Sequence, residues 1–130
     1  QYETEPTYQD VVAEVGGLLG DRIRAAERAG IAKDAIMVDP GFGFGKSVEQ
    51  NFALMRGIDR IVGLGHPVLV GLSRKSFLGA ATGVADPARR DPESATAAVL
   101  IGDPRGLVFR VHDVAAHRRA LLLRSAMQVP

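Results

Sequence analysis

The sequence predicts an α/β fold built on parallel strands, and three observations carry that expectation. Short apolar runs, "AIMVDP", "VLVGLSR" and "LVFRV", stand apart from longer stretches whose apolar residues recur three and four positions apart. The runs have the length of strands and the stretches the length of helices. Their order is one helix and then three strand-helix repeats, an alternation that requires a parallel sheet with right-handed crossovers.

The first helix is expected over residues 8–30, where Val11, Val12, Val15, Leu18, Leu19, Ile23 and Ala26 mark one face. Gly16-Gly17 weakens it by about 1 kcal/mol per glycine relative to alanine, and Gly30 is its stop. "AIMVDP" reads as a buried strand broken by Pro40. Ser47 followed by Gln50 is a capping-box signature that opens a second helix, with Val48, Phe52, Met55, Ile58, Ile61 and Val62 on its buried face and a stop near Gly63 to Gly65. "VLVGLSR" is the second strand, and a short helical piece follows around "KSFLGA". Asp91-Pro92 reads as an N-cap with proline at the first helical position, opening a helix through "ESATAAVLI". The turn "GDPRG" ends it, "LVFRV" is the third strand, and a last helix is expected over residues 114–127.

Three parallel strands with helices on one side leave a sheet face uncovered, although parallel strands are normally buried on both. Either a second copy of the chain covers that face, or the chain is the tail of a larger α/β fold such as the last part of a (β/α)8 barrel. The start at Gln1, with no strand before the first helix, favours the second alternative. Residues 1–130 are then a single portion of one domain.

Composition narrows the function classes. The 130 residues carry a net charge of +1 from well-mixed acidic and basic side chains, so there is no electrostatic footprint for nucleic acid or an anionic membrane. A small molecule or another protein is the expected partner. With 0 cysteines, disulfides and thiolate metal sites are excluded. No apolar run reaches membrane-spanning length, and the polar, acidic "QYETEPTYQD" is neither a signal nor a transit peptide, so a cytoplasmic location is expected.

In α/β folds ligands gather where strands end, which directs attention to "DPGFGFGK", "SRKSF" and "RVHD". The first ends like a phosphate loop, but Pro40 stands where the Walker pattern needs its first glycine. A dinucleotide fingerprint would need a third glycine at Lys46 and fails as well. The plain alternative is a strand-to-helix turn in which Ser47 caps the helix. Asp39 separates the two readings, because a carboxylate at the end of an apolar strand accepts N–H bonds from an amino-substituted heterocycle, or else ties down its own turn. At the second exit, Arg74 and Lys75 sit between Ser73 and Ser76, just before a helix start that suits a phosphate or carboxylate; solvated surface charge is the alternative. At the third, Arg110 and His112 lie two apart in a strand and share a face. His66 and His117 are expected to be structural. No His or carboxylate cluster has metal spacing, and no Ser-His-Asp arrangement is legible. The residues together describe a site for a heterocyclic phosphate or diphosphate.

The chain resembles the C-terminal half of the dihydropteroate synthases. "PTYQDVVAEV", "AGI", "DPGFGFGK", "PVLVGLSRKSFLG" and "FRVHDV" carry the resemblance in order along nearly the whole length, and "DPGFGFGK", "SRKSFLG" and "RVHD" together are highly specific. It implies the last three strand-helix units of a (β/α)8 barrel, with a preceding helix. It also implies an enzyme that condenses p-aminobenzoate with 6-hydroxymethyl-7,8-dihydropterin diphosphate, giving 7,8-dihydropteroate and pyrophosphate in folate biosynthesis. Matched motif by motif, Asp39 and Lys75 would bind the pterin ring, Arg110 and His112 the diphosphate, and Phe44 and Ser76 the p-aminobenzoate. Arg74 would give electrostatic support, and Lys46 would finish its turn. The resemblance further implies that the C–O bond breaks first, that Arg110, His112 and magnesium stabilise the departing pyrophosphate, and that no strong general base is needed. The magnesium ligand is expected in the family's N-terminal half, and a homodimer in the full-length form.

One departure concerns the family's Ala-rich helix before the last strand. Here the run reads "TAAVLIGDPRG", shorter and with Gly-Asp-Pro in place of the final turn, and Pro104 prevents continuation. This motivates two alternatives to the enzyme: a non-catalytic relative that binds pterin phosphates, or a fragment acting only as an assembly partner.

Overall fold

A computed structural model describes residues 8–128. The start of the polar N-terminal segment, including Pro6 and Thr7 of "PTYQDVVAEV", lies outside the described residues. Helix α1 (Val11–Arg28) is capped by Asp10, whose side chain accepts from Ala13 N at 3.1 Å. It runs unbroken through Gly16 and Gly17, so the packing of Val11, Val12, Val15 and Ile23 outweighs the two glycine penalties.

The expected strand at "AIMVDP" shrinks to a single parallel bridge, Val38 to Val68. A 3-10 turn, Lys33–Ala35, takes up its beginning, and Pro40, which has no N–H, follows directly after Asp39. The bridge is held by Val38 N donating to Pro67 O at 2.9 Å and Leu69 N donating to Val38 O at 2.7 Å. Strand β1 (Val68–Val70) pairs on its other side with β2 (Leu107–Phe109), parallel and in the register Val68 to Leu107. The sheet is parallel as expected, with β1 central.

The helix expected over residues 48–62 divides at Gly57 into α2 (Val48–Arg56) and α3 (Ile58–Val62). A Cβ on Gly57 would fall 2.6 Å from Val12 Cγ2, so α1 packs straight onto the break. The capping box is formed: Ser47 Oγ accepts from Gln50 N at 3.1 Å, and Gln50 Oε1 accepts from Ser47 N at 2.9 Å. Helix α4 (Ser76–Thr82) follows β1, α5 (Asp91–Leu100) precedes β2, and α6 (Val114–Gln128) closes the described chain. The sequence expectation at α5 needs correction, because Arg90 occupies the cap and Asp91 is already helical. The carboxylate of Asp91 is engaged by Arg74 and caps nothing.

The core lies between β1 and helices α1 to α4, around Leu54, Ile58, Ile61, Val68, Val70 and Phe77. Phe52 and Phe77 meet edge to face at a centroid distance of 5.2 Å, and Phe42 stacks with Phe77 at 6.5 Å. The opposite flank is sparser: His117 is the one buried residue of α6, while Leu123 is 74% and Met127 80% exposed. Among the described residues no helix is long and apolar enough to cross a membrane.

Candidate functional site

The loop after Val38 is fixed from within. Gly41, Gly43 and Gly45 adopt φ values of 75°, 83° and 61°, a region that strongly favours glycine, which is why the motif alternates glycine with aromatics. Asp39 Oδ1 accepts from Gly41 N at 2.8 Å, so the carboxylate ties down its own turn and still has lone pairs for other donors. The buried Asn51 side chain accepts from Gly43 N at 2.8 Å and donates to Ser47 O at 2.9 Å. Lys46 Nζ donates to Gly41 O at 2.7 Å and Phe44 O at 2.9 Å. Its ammonium serves its own loop, unlike that of a phosphate-loop lysine. Partial burial lowers the Lys46 pKa, and the charge of Asp39 opposes that shift. The two aromatic residues part ways: Phe42 is 1% exposed and Phe44 54%.

At the end of β1 the chain turns through Arg74, the only non-glycine residue with positive φ among the described residues, at 59°. The conformation is held on several sides. Arg74 N donates to Ser94 Oγ at 2.8 Å, and Arg74 O accepts from Arg90 Nη1 at 2.9 Å. The Arg74 guanidinium forks onto Asp91 at 2.9 and 3.1 Å. That hydrogen-bonded pairing raises the pKa of Arg74 and lowers that of Asp91. Arg90 is buried and donates also to Val84 O at 2.9 Å and Ala85 O at 2.7 Å. Its three guanidinium nitrogens thus knit the β1 exit to the loop before α5. Lys75 escapes this network, and its Nζ lies 4.4 Å from the centroid of the Phe44 ring.

At the β2 exit, Arg110 N donates to Val70 O at 3.0 Å and extends the ladder by one residue. His112 then turns back toward β1: its backbone N donates to Ser73 Oγ at 3.1 Å, and its Nδ1 lies 2.7 Å from the same oxygen.

These exits open on one cavity of about 450 Å³, lined by Asp39, Phe42, Phe44, Arg74, Lys75, Arg110 and His112 among others. Six of the residues singled out in the sequence, Asp39, Phe44, Arg74, Lys75, Arg110 and His112, are therefore brought together. Ser76 is not in this lining; it is the first residue of α4 and is exposed. His66 and His117 are buried elsewhere, and His117 Nδ1 lies 2.7 Å from Asp113 O. Sequence reasoning missed Asn51, Arg90 and Ser94, whose polar groups hold the loops from behind. It also passed over Ser73 as an anchor for His112, although Ser73 stands inside the quoted "SRK" run. Among the described residues no group of three or more His, Cys, Asp or Glu side chains is placed to hold a metal ion.

The exits of this parallel α/β sheet thus bring a carboxylate, an ammonium, a guanidinium and an imidazole to the lining of one open cavity, at the edge of the sheet where ligands of such folds gather. The chain belongs to the family described as "Pterin binding enzyme", whose model matches residues 1–112. It is 41% identical over 126 residues to a dihydropteroate synthase of Streptococcus pyogenes serotype M6, a match covering 96% of this chain and 47% of that relative. Among solved structures, dihydropteroate synthase from Xanthomonas albilineans in complex with 7,8-dihydropteroate superposes with a TM-score of 0.89 at 46% identity, covering 98% of this chain and 49% of that one. The enzyme from Thermus thermophilus in complex with 4-aminobenzoate gives 0.84 at 49% identity, covering 95% and 47%. The chain thus spans about half the length of the relatives it matches.

Proposed function

We propose that the whole protein to which this chain corresponds is a dihydropteroate synthase, and that the chain supplies the last three strand-helix units of its (β/α)8 barrel. The observation that carries the reading is the convergence of Asp39, Lys75, Arg110 and His112 on one cavity. The substrates, p-aminobenzoate and 6-hydroxymethyl-7,8-dihydropterin diphosphate, are supported by relatives solved with 7,8-dihydropteroate and with 4-aminobenzoate.

In this reading Asp39 accepts N–H bonds from the amino-pyrimidine edge of the pterin, and Lys75 packs on the ring and donates to it. Arg110 and His112, which lie just beyond the end of β2 and not in a strand, hold the diphosphate from that exit. As the bond between the pterin methylene carbon and the diphosphate oxygen breaks, its electron pair leaves with pyrophosphate. The two cationic or hydrogen-bonding groups stabilise the charge where it grows. The neutral amine of p-aminobenzoate forms the new C–N bond to the cationic carbon and then loses a proton to solvent. Phe44 walls the p-aminobenzoate site, Ser76 lies toward its carboxylate, and Arg74 adds positive potential from its pairing with Asp91.

Magnesium is proposed as the cofactor of the whole protein. It is assigned to the part of the whole protein beyond this chain, and no step here depends on it. The whole protein is proposed to be a cytoplasmic homodimer, with the exposed apolar side of α6 at the subunit contact.

Isothermal titration of the whole protein with pterin diphosphate, followed by an assay with p-aminobenzoate, tests the proposal; binding and turnover are both expected. Binding without turnover favours the non-catalytic relative that the shortened α5 motivates, and failure to bind defeats both. The 130-residue chain alone is expected to form no dihydropteroate, because half of the pocket is elsewhere.

A further inference from the structure

We infer that Ser73 is a positioning residue that holds His112 as the neutral tautomer with its proton on Nε2, so that this nitrogen donates into the cavity without first becoming an imidazolium. The inference deepens the diphosphate role proposed above for His112, and rests on that reading for the identity of the anion.

The assignment follows from hydrogen-bond accounting at one oxygen. Ser73 Oγ makes two contacts among the described residues, both with His112. The backbone N–H of His112 can only donate, so Oγ accepts that bond at 3.1 Å. A hydroxyl also carries one hydrogen, and Ser73, although it lines the cavity, is only 7% exposed, so that hydrogen is satisfied best by an acceptor within the protein. Among the described residues the acceptor in reach is His112 Nδ1 at 2.7 Å. Were Nδ1 protonated, Oγ would accept two bonds and its own hydrogen would be left buried without an acceptor, at a cost comparable to a lost hydrogen bond. Nδ1 is therefore the acceptor, the ring proton lies on Nε2, and the side chain that lines the cavity presents a donor. The same two bonds fix both ends of the residue, backbone and ring, to the exit of β1, across 39 positions of sequence. The orientation of His112 is thus set by the loop that also carries Lys75, and the two anion-facing strand ends are joined by one hydroxyl.

Histidine-selective ¹⁵N NMR of the protein, at a pH where imidazole is neutral, reads the assignment directly. In the wild type, His112 Nδ1 is expected to be unprotonated, with its resonance displaced from that of a free imine nitrogen by the bond it accepts. Ser73→Ala returns the resonance to the free position, and Ser73→Thr, which keeps the hydroxyl, leaves it displaced. A protonated Nδ1 in the wild type, or a resonance that is the same in wild type and Ser73→Ala, overturns the inference. Pyrophosphate is the ligand probe: its binding is expected to weaken by about three- to tenfold in Ser73→Ala and to recover in Ser73→Thr. Unchanged affinity in Ser73→Ala refutes the positioning role. Absence of pyrophosphate binding in the wild type, with the nitrogen spectrum as expected, instead counts against the diphosphate reading and leaves the tautomer assignment standing.

Discussion

The two flanks of the sheet are built to different standards. Around β1, helices α1 to α4 enclose side chains that have lost nearly all contact with water, Leu54, Ile58, Ile61, Val68 and Val70 among them. Around β2, Val108 is exposed on the strand itself, and α6 buries only His117. The difference teaches that this chain carries its own stability on one side only, whereas the cavity draws on both: Asp39 and Lys75 come from the packed flank, Arg110 and His112 from the open one. An open flank next to an edge strand is what a partial barrel presents, since closure alone removes sheet edges.

The contrast can be broken most severely from the packed side. Ile61→Ala is expected to destabilise the chain by about 2–5 kcal/mol, through lost burial and the cavity left behind, read as a lower urea midpoint with an unchanged slope. Arg90→Met comes next. It strips donors from three backbone carbonyls, those of Arg74, Val84 and Ala85, and is expected to cost about 1.5–3 kcal/mol. Because Arg74 O is among them, Lys75 should lose its register with Phe44, which an accompanying fall in pterin diphosphate affinity would reveal.

A smaller effect is expected from acid. Hydrogen bonding from Arg74 depresses the Asp91 pKa below its ordinary 3.8, so the pair contributes stability that is fully present above that value and is lost as the pH falls through the depressed one. Stability profiles of wild type and Arg74→Met should therefore converge as the pH drops below 3.8; parallel curves would remove the pair from any role in stability. The least effect is expected on the open flank, where Leu123→Gln should change the stability of the isolated chain by no more than about 0.5 kcal/mol. In the whole protein the same substitution should weaken self-association, as measured by sedimentation, and no change there would sharpen the contrast by removing α6 from the proposed contact.

Legibility in the sequence followed the range of the interactions. Helices α1 and α2 were visible because their apolar spacing is local, and α5 because a proline just inside a helix start is a local signal; Asp39, Lys75, Arg110 and His112 were visible because strand exits are where such groups matter. The break at Gly57 was not, since a glycine inside a helical pattern is tolerated and only the close approach of Val12 makes it a boundary. Asp91 was misread as a cap because its partner, Arg74, lies 17 positions earlier. Asn51, Ser73, Arg90 and Ser94 act through backbone groups of distant or looped segments, and residue type alone does not announce such bonds. The strand expected at "AIMVDP" shrank for a local reason that was half visible: Pro40 marked its end, but the 3-10 turn that consumes its start has no comparably sharp signature.

Phe42 and Phe44 are separated by one glycine, yet one ring is locked into the aromatic stack with Phe77 while the other stands at the cavity rim beneath Lys75. Mechanically the segment is a short cantilever, clamped at Phe42 and loaded at its tip by whatever rests on Phe44. Its stiffness is set by the clamp and by the Lys46 and Asn51 struts, and neither strut is in the cavity lining. The position of the Phe44 ring should therefore be tunable through its clamp: trimming Phe42 would soften the tip without removing any polar group from the cavity lining.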